Sequence, residues 1–334
     1  MDCAILNRYM VEVSVIIVSY NTHEYLRDCL ASLRDDPDAP EHEVIVVDNG
    51  SGDGSAAMVR VEFPDALVIE AGENLGFAKA NNLALRRMRG RTALLLNSDT
   101  LVKPGALAGM LAALDARPEA AAVGPRLINL DGSLQRSCYR FPAPARAFRD
   151  QLFLTSLLSG HPRWGDYRRW AHDRERAVDF VIGAALLVRA DVLPAVGLLD
   201  EDFFMYAEET DWCRRMHDAG YQVWFTPDAE VIHYGGGSGK AQADRVFAEF
   251  SAGQRRFYRK HHGASGALAL RVSLILGAFL RIPLFAALAA VSPARRAKAW
   301  GVVRLWVNIL RWNLGLWHTP GLAPVPAAGA AAHA

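Results

Sequence analysis

Short aliphatic runs that each close on a polar cluster limit the fold of this chain more than any other feature. Val13-Ser14-Val15-Ile16-Ile17-Val18 ends in Ser19-Tyr20-Asn21, Val44-Ile45-Val46-Val47 in Asp48-Asn49, and Ala93-Leu94-Leu95-Leu96 in Asn97-Ser98-Asp99. Runs this short and this apolar read as strands buried on both faces. Leu67-Val68-Ile69 is a further strand. Helical patterns lie between them. One begins near Glu24, capped by Asn21 or Thr22, with Leu26, Leu30 and Leu33 on its apolar face. A second follows Asn74–Asn82 to about Arg89, and a third spans 104–116 with Pro104 in its first turn. Strands alternating with helices predict a mostly parallel, doubly wound α/β sheet flanked by helices.

Ligands of such sheets bind outside the carboxyl ends of the strands. Asn97 and Asp99 are spaced so that both can face one ligand, and a carboxylate there is placed to hold a divalent cation against a diphosphate. A plain turn explains Asn-Ser-Asp in isolation. Three polar strand ends on one edge make a nucleotide site the natural expectation. No GxGxxG follows the first strand and no GxxxxGK[ST] occurs, which argues against a dinucleotide dehydrogenase and a P-loop NTPase. The anion is then met by a metal rather than by a glycine-rich helix start.

Further along, 142–176 is irregular and rich in Arg and aromatics, and reads as loops and short helices. Phe180–Val188 is a strand containing Gly183. An acidic cluster, Glu208-Glu209-Thr210-Asp211, opens a helix that carries Trp212 and Met216 and ends at Gly220. Acids there suit a helix N-terminus on dipole grounds alone. Val223-Trp224-Phe225 and Val231-Ile232-His233-Tyr234 are two more short strands, the last running into Gly235-Gly236-Gly237, a loop able to close over a ligand. The four cysteines form no CxxC pair and read as reduced thiols of a cytosolic protein. No secretory signal is expected, because no long apolar core precedes Val13, and Met10 can be the true start.

Six segments, VSVIIVSYN, VIVVDNGSGDGS, NLGFAKANN, LLLNSDT, FFMYAEETDWCRR and VIHYGGGSG, stand in the order and spacing of one family. Through them the chain resembles the family 2 glycosyltransferases, which have the GT-A fold, over roughly Val13 to Gly263. It is most similar to the bacterial rhamnosyltransferase-type enzymes of cell-envelope polysaccharide synthesis. The resemblance implies a catalytic domain over 1–250 and a nucleotide-diphospho-sugar donor. It also implies roles. Tyr20 and Asn21 lie at the nucleobase, Asp48 recognises the base or ribose, and Asn74, Gly76 and Asn81 line the nucleotide-sugar site with Asn97 and Asp99. Asp99 and His233 hold Mg2+ or Mn2+. Glu209 aligns with the general base, one methylene longer than the family's Asp, and Glu208 or Asp211 are alternatives. Asn97 replaces the first acid of the metal motif, keeping an oxygen donor but losing a charge. The expected reaction is an inverting, metal-dependent transfer, favouring L-rhamnose from dTDP-rhamnose, to a lipid-linked or glycan acceptor. A UDP- or GDP-sugar donor is the alternative within the family. A nucleotidyltransferase lacks support because no glycine-rich basic loop follows Val18. Intact Asp48, Asp99, Glu209 and Asp211 argue against an inactive glycan-binding scaffold.

The net charge of +1 conceals an asymmetry. From Ser251 onward there are eleven basic residues and no acid, leaving 26 basic against 36 acidic residues before it. Residues 268–291 are aliphatic but interrupted by Arg271, Arg281 and Pro283, and the uncharged run 282–294 is short for a bilayer span. Val303, Trp306, Val307 and Leu310 follow helical spacing, and Trp300, Trp312 and Trp317 flank them. Basic residues with Trp and Leu describe helices lying in an anionic membrane interface, not a nucleic-acid site. Packing on the catalytic body, or on a second subunit as a homodimer, is the other reading. The expectation is a helical, membrane-interfacial tail over 251–320, a disordered C-terminus over 321–334, and a peripheral or monotopic place on the cytoplasmic face of the cell membrane.

Overall fold

A computed structural model of the chain describes residues 11–158, 161, 166–235 and 243–316. It divides into two compact units: Met1–Phe141 with Tyr167–Ala243, and Pro142–Asp166 with Asp244–Ala334. Gly236, Gly237, Trp317 and the expected disordered end lie outside the described residues, as do Cys3 and Met10.

The first unit opens with β1 (Val11–Ser19), α1 (His23–Arg34), β2 (His42–Asp48), α2 (Ser55–Glu62), β3 (Leu67–Glu70), α3 (Phe77–Leu85) and β4 (Gly90–Asn97). Then come β5 (Thr100–Val102), α4 (Ala106–Asp115), β6 (Ala120–Ile128), β7 (Leu134–Gln135) and β8 (Cys138–Tyr139). After the excursion into the second unit follow β9 (Arg176–Val178), β10 (Phe180–Val181), β11 (Ala185–Arg189), α7 (Leu193–Val196), α8 (Glu208–Asp218) and β12 (Gln222–His233). Helices α5 (Pro144–Gln151) and α6 (Leu154–Leu158) belong to the second unit.

The main sheet runs β3-β2-β1-β4-β11-β6-β12-β5, with β7 beside β6 and β9 beside β12. Its first four strands are parallel. Alternation along β1 explains the layering, since successive side chains leave opposite faces of a strand. Val13, Val15 and Ile17 join Leu26, Leu30 and Leu33 of α1 and Leu107, Met110 and Leu114 of α4 in one core. Ile16 joins Ala78, Ala80 and Ala84 of α3 and Trp212, Cys213 and Met216 of α8 in the other. A sheet covered on both faces requires apolar residues at every position of its central strands, and Val15, Ile16 and Ile17 are all fully buried.

The second half departs from the sequence expectation. Strand β11 is antiparallel to both β4 and β6, so the sheet is mixed. The expected strand at 180–188 is broken by Ile182–Ala184 into β10 and β11, and the two strands expected at 223–234 are one strand with register shifts. Strand β6 had no forerunner in the sequence reading. Its Ala-Ala-Ala-Val-Gly-Pro opening has poor strand propensity and a proline. Burial between neighbours decides it: Ala120–Val123 are fully buried, and Gly124 is needed because a Cβ there would approach Val181 Cγ2 at 2.8 Å.

The second unit comprises α5 (Pro144–Gln151), α6 (Leu154–Leu158), the long α9 (Ala243–Val291) and α10 (Arg296–Asn313). Gly263, at φ 67, divides α9 into two helices, a conformation that glycine adopts without steric cost. Residues 142–158, within the stretch read as loops and short helices, form α5 and α6 and are docked within this unit. The Tyr258 hydroxyl donates to Ala143 O at 3.1 Å, and Arg281 donates to Gln151 O and Asp150 O at 2.8 and 2.7 Å. The Arg281 guanidinium lies 4.1 Å from the Phe153 ring centroid and 4.7 Å from that of Trp306. Its charge is thus met by the orphan carbonyls at the end of α5 and by aromatic faces. The sequence reading counted Arg281 as an interruption; the segment Asp244–Val291, Arg281 included, is long and apolar enough, by length and composition only, to cross a membrane.

Candidate active site at the carboxyl edge of the sheet

Register brings the polar strand ends together. Ser19 pairs with Asp48 across β1–β2, Val18 with Asn97 across β1–β4, and Thr100 with His233 across β5–β12. The Ser98 hydroxyl accepts from Thr22 Oγ1 at 2.9 Å, and Ser19 Oγ and Thr22 Oγ1 are 2.9 Å apart. This hydroxyl chain pins the Asn97–Asp99 turn to the start of α1. Below it, buried Cys29 lies 3.5 Å from Thr100 Oγ1, its thiol pushed up to about 12 by desolvation and therefore inert as a nucleophile.

On the β2 side the loop 49–55 is latched to its neighbours. Asn21, left-handed at φ 53, accepts from Gly52 N at 2.8 Å through Oδ1, while its own N–H donates to Ser51 Oγ at 3.0 Å. Asn49 donates to Asn74 Oδ1 at 3.1 Å and accepts from Leu75 N at 2.9 Å. Gly76, at φ 81, is obligatory: a Cβ would lie 2.3 Å from Phe204 O. Asn74 and Gly76 therefore shape this loop, and Asn81 is buried in α3 with its amide bonded to Phe77 O at 2.9 Å. Tyr20 sits half-buried at the end of β1. The sequence reading did not single out Asn49 as a site residue, although its place beside Asp48 was a signal.

Asp48 is the acid of this pocket. It is 5% exposed; Oδ2 accepts from Ser51 N at 3.2 Å, and Oδ1 is buried with no hydrogen-bond partner among the described residues. A buried carboxylate oxygen without a donor is costly unless a ligand N–H or O–H supplies one. Asp48→Ala is accordingly expected to weaken nucleoside diphosphate binding by about 10- to 100-fold, the worth of one hydrogen bond to a charged group. Titration calorimetry on the folded variant checks it.

On the β4–β12 side, His233 Nε2 lies 3.4 Å from both Asp99 Oδ1 and Asn97 Nδ2. Among the described residues no group of three His, Cys, Asp or Glu side chains gathers. One carboxylate, one imidazole and one amide nevertheless suit a hard cation that takes its remaining ligands from diphosphate oxygens and water, as magnesium does.

Glu209 of α8 lies near the same edge. Asn97 N donates to Ala184 O at 2.9 Å, and at the adjoining Gly183 a Cβ would meet Glu209 Cβ and Cγ at 3.6 and 3.7 Å. Two consecutive left-handed residues, Tyr206 at φ 69 and Ala207 at φ 71, turn the chain into α8. Such backbone costs about 1–3 kcal/mol per residue and persists where a site requires it. Desolvation raises the Glu209 carboxyl above its ordinary value, and desolvation with the neighbouring Glu209 charge raises Glu208 well above its own. Glu208 Oε2 is buried without a partner among the described residues. Asp211 is fully buried and bonded to Arg215 Nε at 2.9 Å, so it anchors the helix.

A raised folded-state pKa means that the native protein holds the proton more tightly than the unfolded chain. The penalty for ionised Glu208 is absent below the unfolded value near 4.5 and grows as pH rises through the higher folded value. Glu208→Gln should therefore raise Tm at alkaline pH, with the gain vanishing as pH falls towards 4.5 in thermal melts.

The profile of "Glycosyl transferase family 2" matches residues 14–185. The chain is 29% identical over 290 residues to an N-acetylglucosaminyl-diphospho-decaprenol L-rhamnosyltransferase of Mycobacterium tuberculosis, covering 80% of this chain and 94% of that protein. It is 25% identical over 230 residues to the rhamnosyltransferase WbbL of Escherichia coli K12, covering 66% and 83%. The fold is shared with the mannosyltransferase PcManGT of Pyrobaculum calidifontis, solved with GDP-Man and Mn2+, at a TM-score of 0.56 and 22% identity over 92% of this chain and 86% of that one. With the family profile spanning more than half of its length, the chain belongs to glycosyl transferase family 2 and is a glycosyltransferase with the GT-A fold.

Proposed function

We propose that the chain is an inverting, metal-dependent rhamnosyltransferase. It would move L-rhamnose from dTDP-rhamnose to a lipid-linked glycan acceptor in cell-envelope polysaccharide synthesis. The observation that carries this reading is the convergence of Asp48, the Asp99–His233 pair and Glu209 at one sheet edge. The two rhamnosyltransferase relatives support the sugar, and the decaprenol-linked name of the first supports a lipid-linked acceptor.

Asp48 Oδ1 accepts from the nucleobase or ribose and sets the donor's depth in the edge. Asp99 and His233 would hold a divalent cation, which would supply neutralisation of the charge developing on the leaving diphosphate. Glu209 takes the proton of the acceptor hydroxyl. The freed oxygen forms a bond to the anomeric carbon, the bond from that carbon to the diphosphate oxygen breaks, and the nucleoside diphosphate leaves from the opposite face. Glu209 suits this task because desolvation strengthens it as a base.

The exposed apolar and basic residues of the second unit support a place at a membrane surface, and the cytoplasmic face is part of the proposal. Leu268, Phe279, Leu284, Trp300 and Leu305 are exposed in the stretch from Ser251 onward, which carries basic residues and no acid. Such helices bind an anionic interface through apolar burial and charge together. The deciding assay supplies dTDP-rhamnose, UDP-sugars and GDP-sugars, each with Mn2+, to the protein on anionic vesicles containing polyprenyl-diphosphate glycan. Rhamnosyl transfer supports the reading, transfer from another donor replaces the sugar, and failure with every donor overturns it. Co-sedimentation with the same vesicles but not with zwitterionic ones is expected, weakening as salt rises.

A further inference from the structure

We propose that Gln135 is a positioning residue for His233, fixing its imidazole in the Nδ1–H tautomer so that the Nε2 lone pair faces Asp99. The proposal rests on the cation-binding reading of that pair. Its grounds are a chain of hydrogen bonds whose direction is set at one end. Asp131 Oδ1, acceptor-only when ionised, takes the hydrogen of Ser133 Oγ at 2.5 Å. Ser133 Oγ therefore accepts from Asn129 Nδ2 at 2.9 Å, which leaves Asn129 Oδ1 as acceptor for Gln135 Nε2 at 3.0 Å. The same Gln135 nitrogen donates to His233 O at 3.2 Å. Gln135 Oε1 is then turned to His233 Nδ1 at 2.6 Å and can only accept, so the ring hydrogen is on Nδ1.

The consequence appears at the other ring nitrogen. In that tautomer Nε2 accepts from Asn97 Nδ2 at 3.4 Å, and it lies 3.4 Å from Asp99 Oδ1. A divalent cation held by Asp99 would take the Nε2 lone pair in place of the Asn97 amide. Outer partners that fix a ligand's tautomer and ring angle are commonly worth 10- to 100-fold in metal affinity. Local structure favours the relay: Asp131-Gly132 turns the β6–β7 hairpin, with Gly132 at φ 79, and returns Gln135 to the end of β6, beside the end of β12 that carries His233.

Long-range 1H–15N spectra of the metal-free protein with 15N-labelled histidine test this at mildly alkaline pH, with His233→Gln assigning the resonances. The wild type should show protonated Nδ1 and bare Nε2. Gln135→Leu should populate the other tautomer and weaken Mn2+ binding by roughly 10- to 100-fold in calorimetry, while Gln135→Glu, which keeps an acceptor, restores both. If Gln135→Leu does not fold, Asn129→Ala, which frees the Gln135 amide to turn, should give the same mixture. A wild-type Nε2–H tautomer, or a Leu variant with unchanged tautomer and Mn2+ affinity, overturns the assignment. A wild type that binds no Mn2+ overturns the metal requirement instead, and the tautomer comparison still decides the role of Gln135.

Discussion

Glu209→Gln will retain nucleotide binding and lose transfer, with kcat falling by about 10²- to 10⁴-fold, the range that a positioned general base contributes. The amide keeps the size and place of the side chain beside Gly183 but takes no proton. Single-turnover kinetics with saturating donor read the loss, and calorimetry with nucleoside diphosphate shows the site still assembled. The pH profile supplies an independent sign. A base works only when ionised, so kcat/KM in the wild type should rise with pH through the Glu209 value, which desolvation moves upward from 4.5. That acidic limb should be missing from the residual activity of the variant. Should Glu208→Gln lose transfer and Glu209→Gln keep it, the roles of the two carboxylates are exchanged.

Asp99→Ala will cost at least as much, by a different route. Removing the carboxylate leaves His233 and Asn97 to hold a cation, and transition-state charge stabilisation worth several kcal/mol goes with it. A loss of roughly 10³-fold or more in kcat/KM follows, since about 1.4 kcal/mol is tenfold. The diagnostic is in binding. Nucleoside diphosphate affinity should depend on Mn2+ in the wild type and become independent of it in Asp99→Ala, whereas Asp48→Ala weakens the nucleotide with or without metal. Transfer that persists in Asp99→Ala, equally with and without Mn2+, would remove the cation from the reaction.

Much of the first half of the fold was legible because its strands are buried on both faces. Val13–Val18, Val44–Val47 and Ala93–Leu96 have no other stable place, and each stands where it was expected. The polar ends were legible too, since a parallel sheet puts all its carboxyl ends on one edge. Legibility failed where packing overrides propensity. Ala120–Ile128 opens on alanine, glycine and proline, yet is a central strand because Ala120–Val123 are buried between neighbours and Val181 leaves no room for a Cβ at Gly124. The antiparallel direction of β11 has no local signal; it depends on Ile182–Ala184 crossing the edge beside Asn97. Gln135 went unnoticed for the same reason, although Asp131-Gly132 marks the turn that delivers it.

From the sequence alone came the alternation of buried strand and amphipathic helix, the family, and the residue types able to bind a nucleotide, a cation and a proton. Those depend on hydrophobic period and chemical identity, both of which are local. Tertiary structure alone decided the surroundings of each carboxylate. Asp211 is tied to Arg215, Glu208 is sealed from water, and Glu209 lies against Gly183, though all three share one helical turn. It also decided the state of His233, through a hydrogen-bond relay begun some hundred residues away at Asp131. Desolvation and hydrogen-bond direction are properties of what surrounds a group, and the surroundings exist only once the sheet has formed.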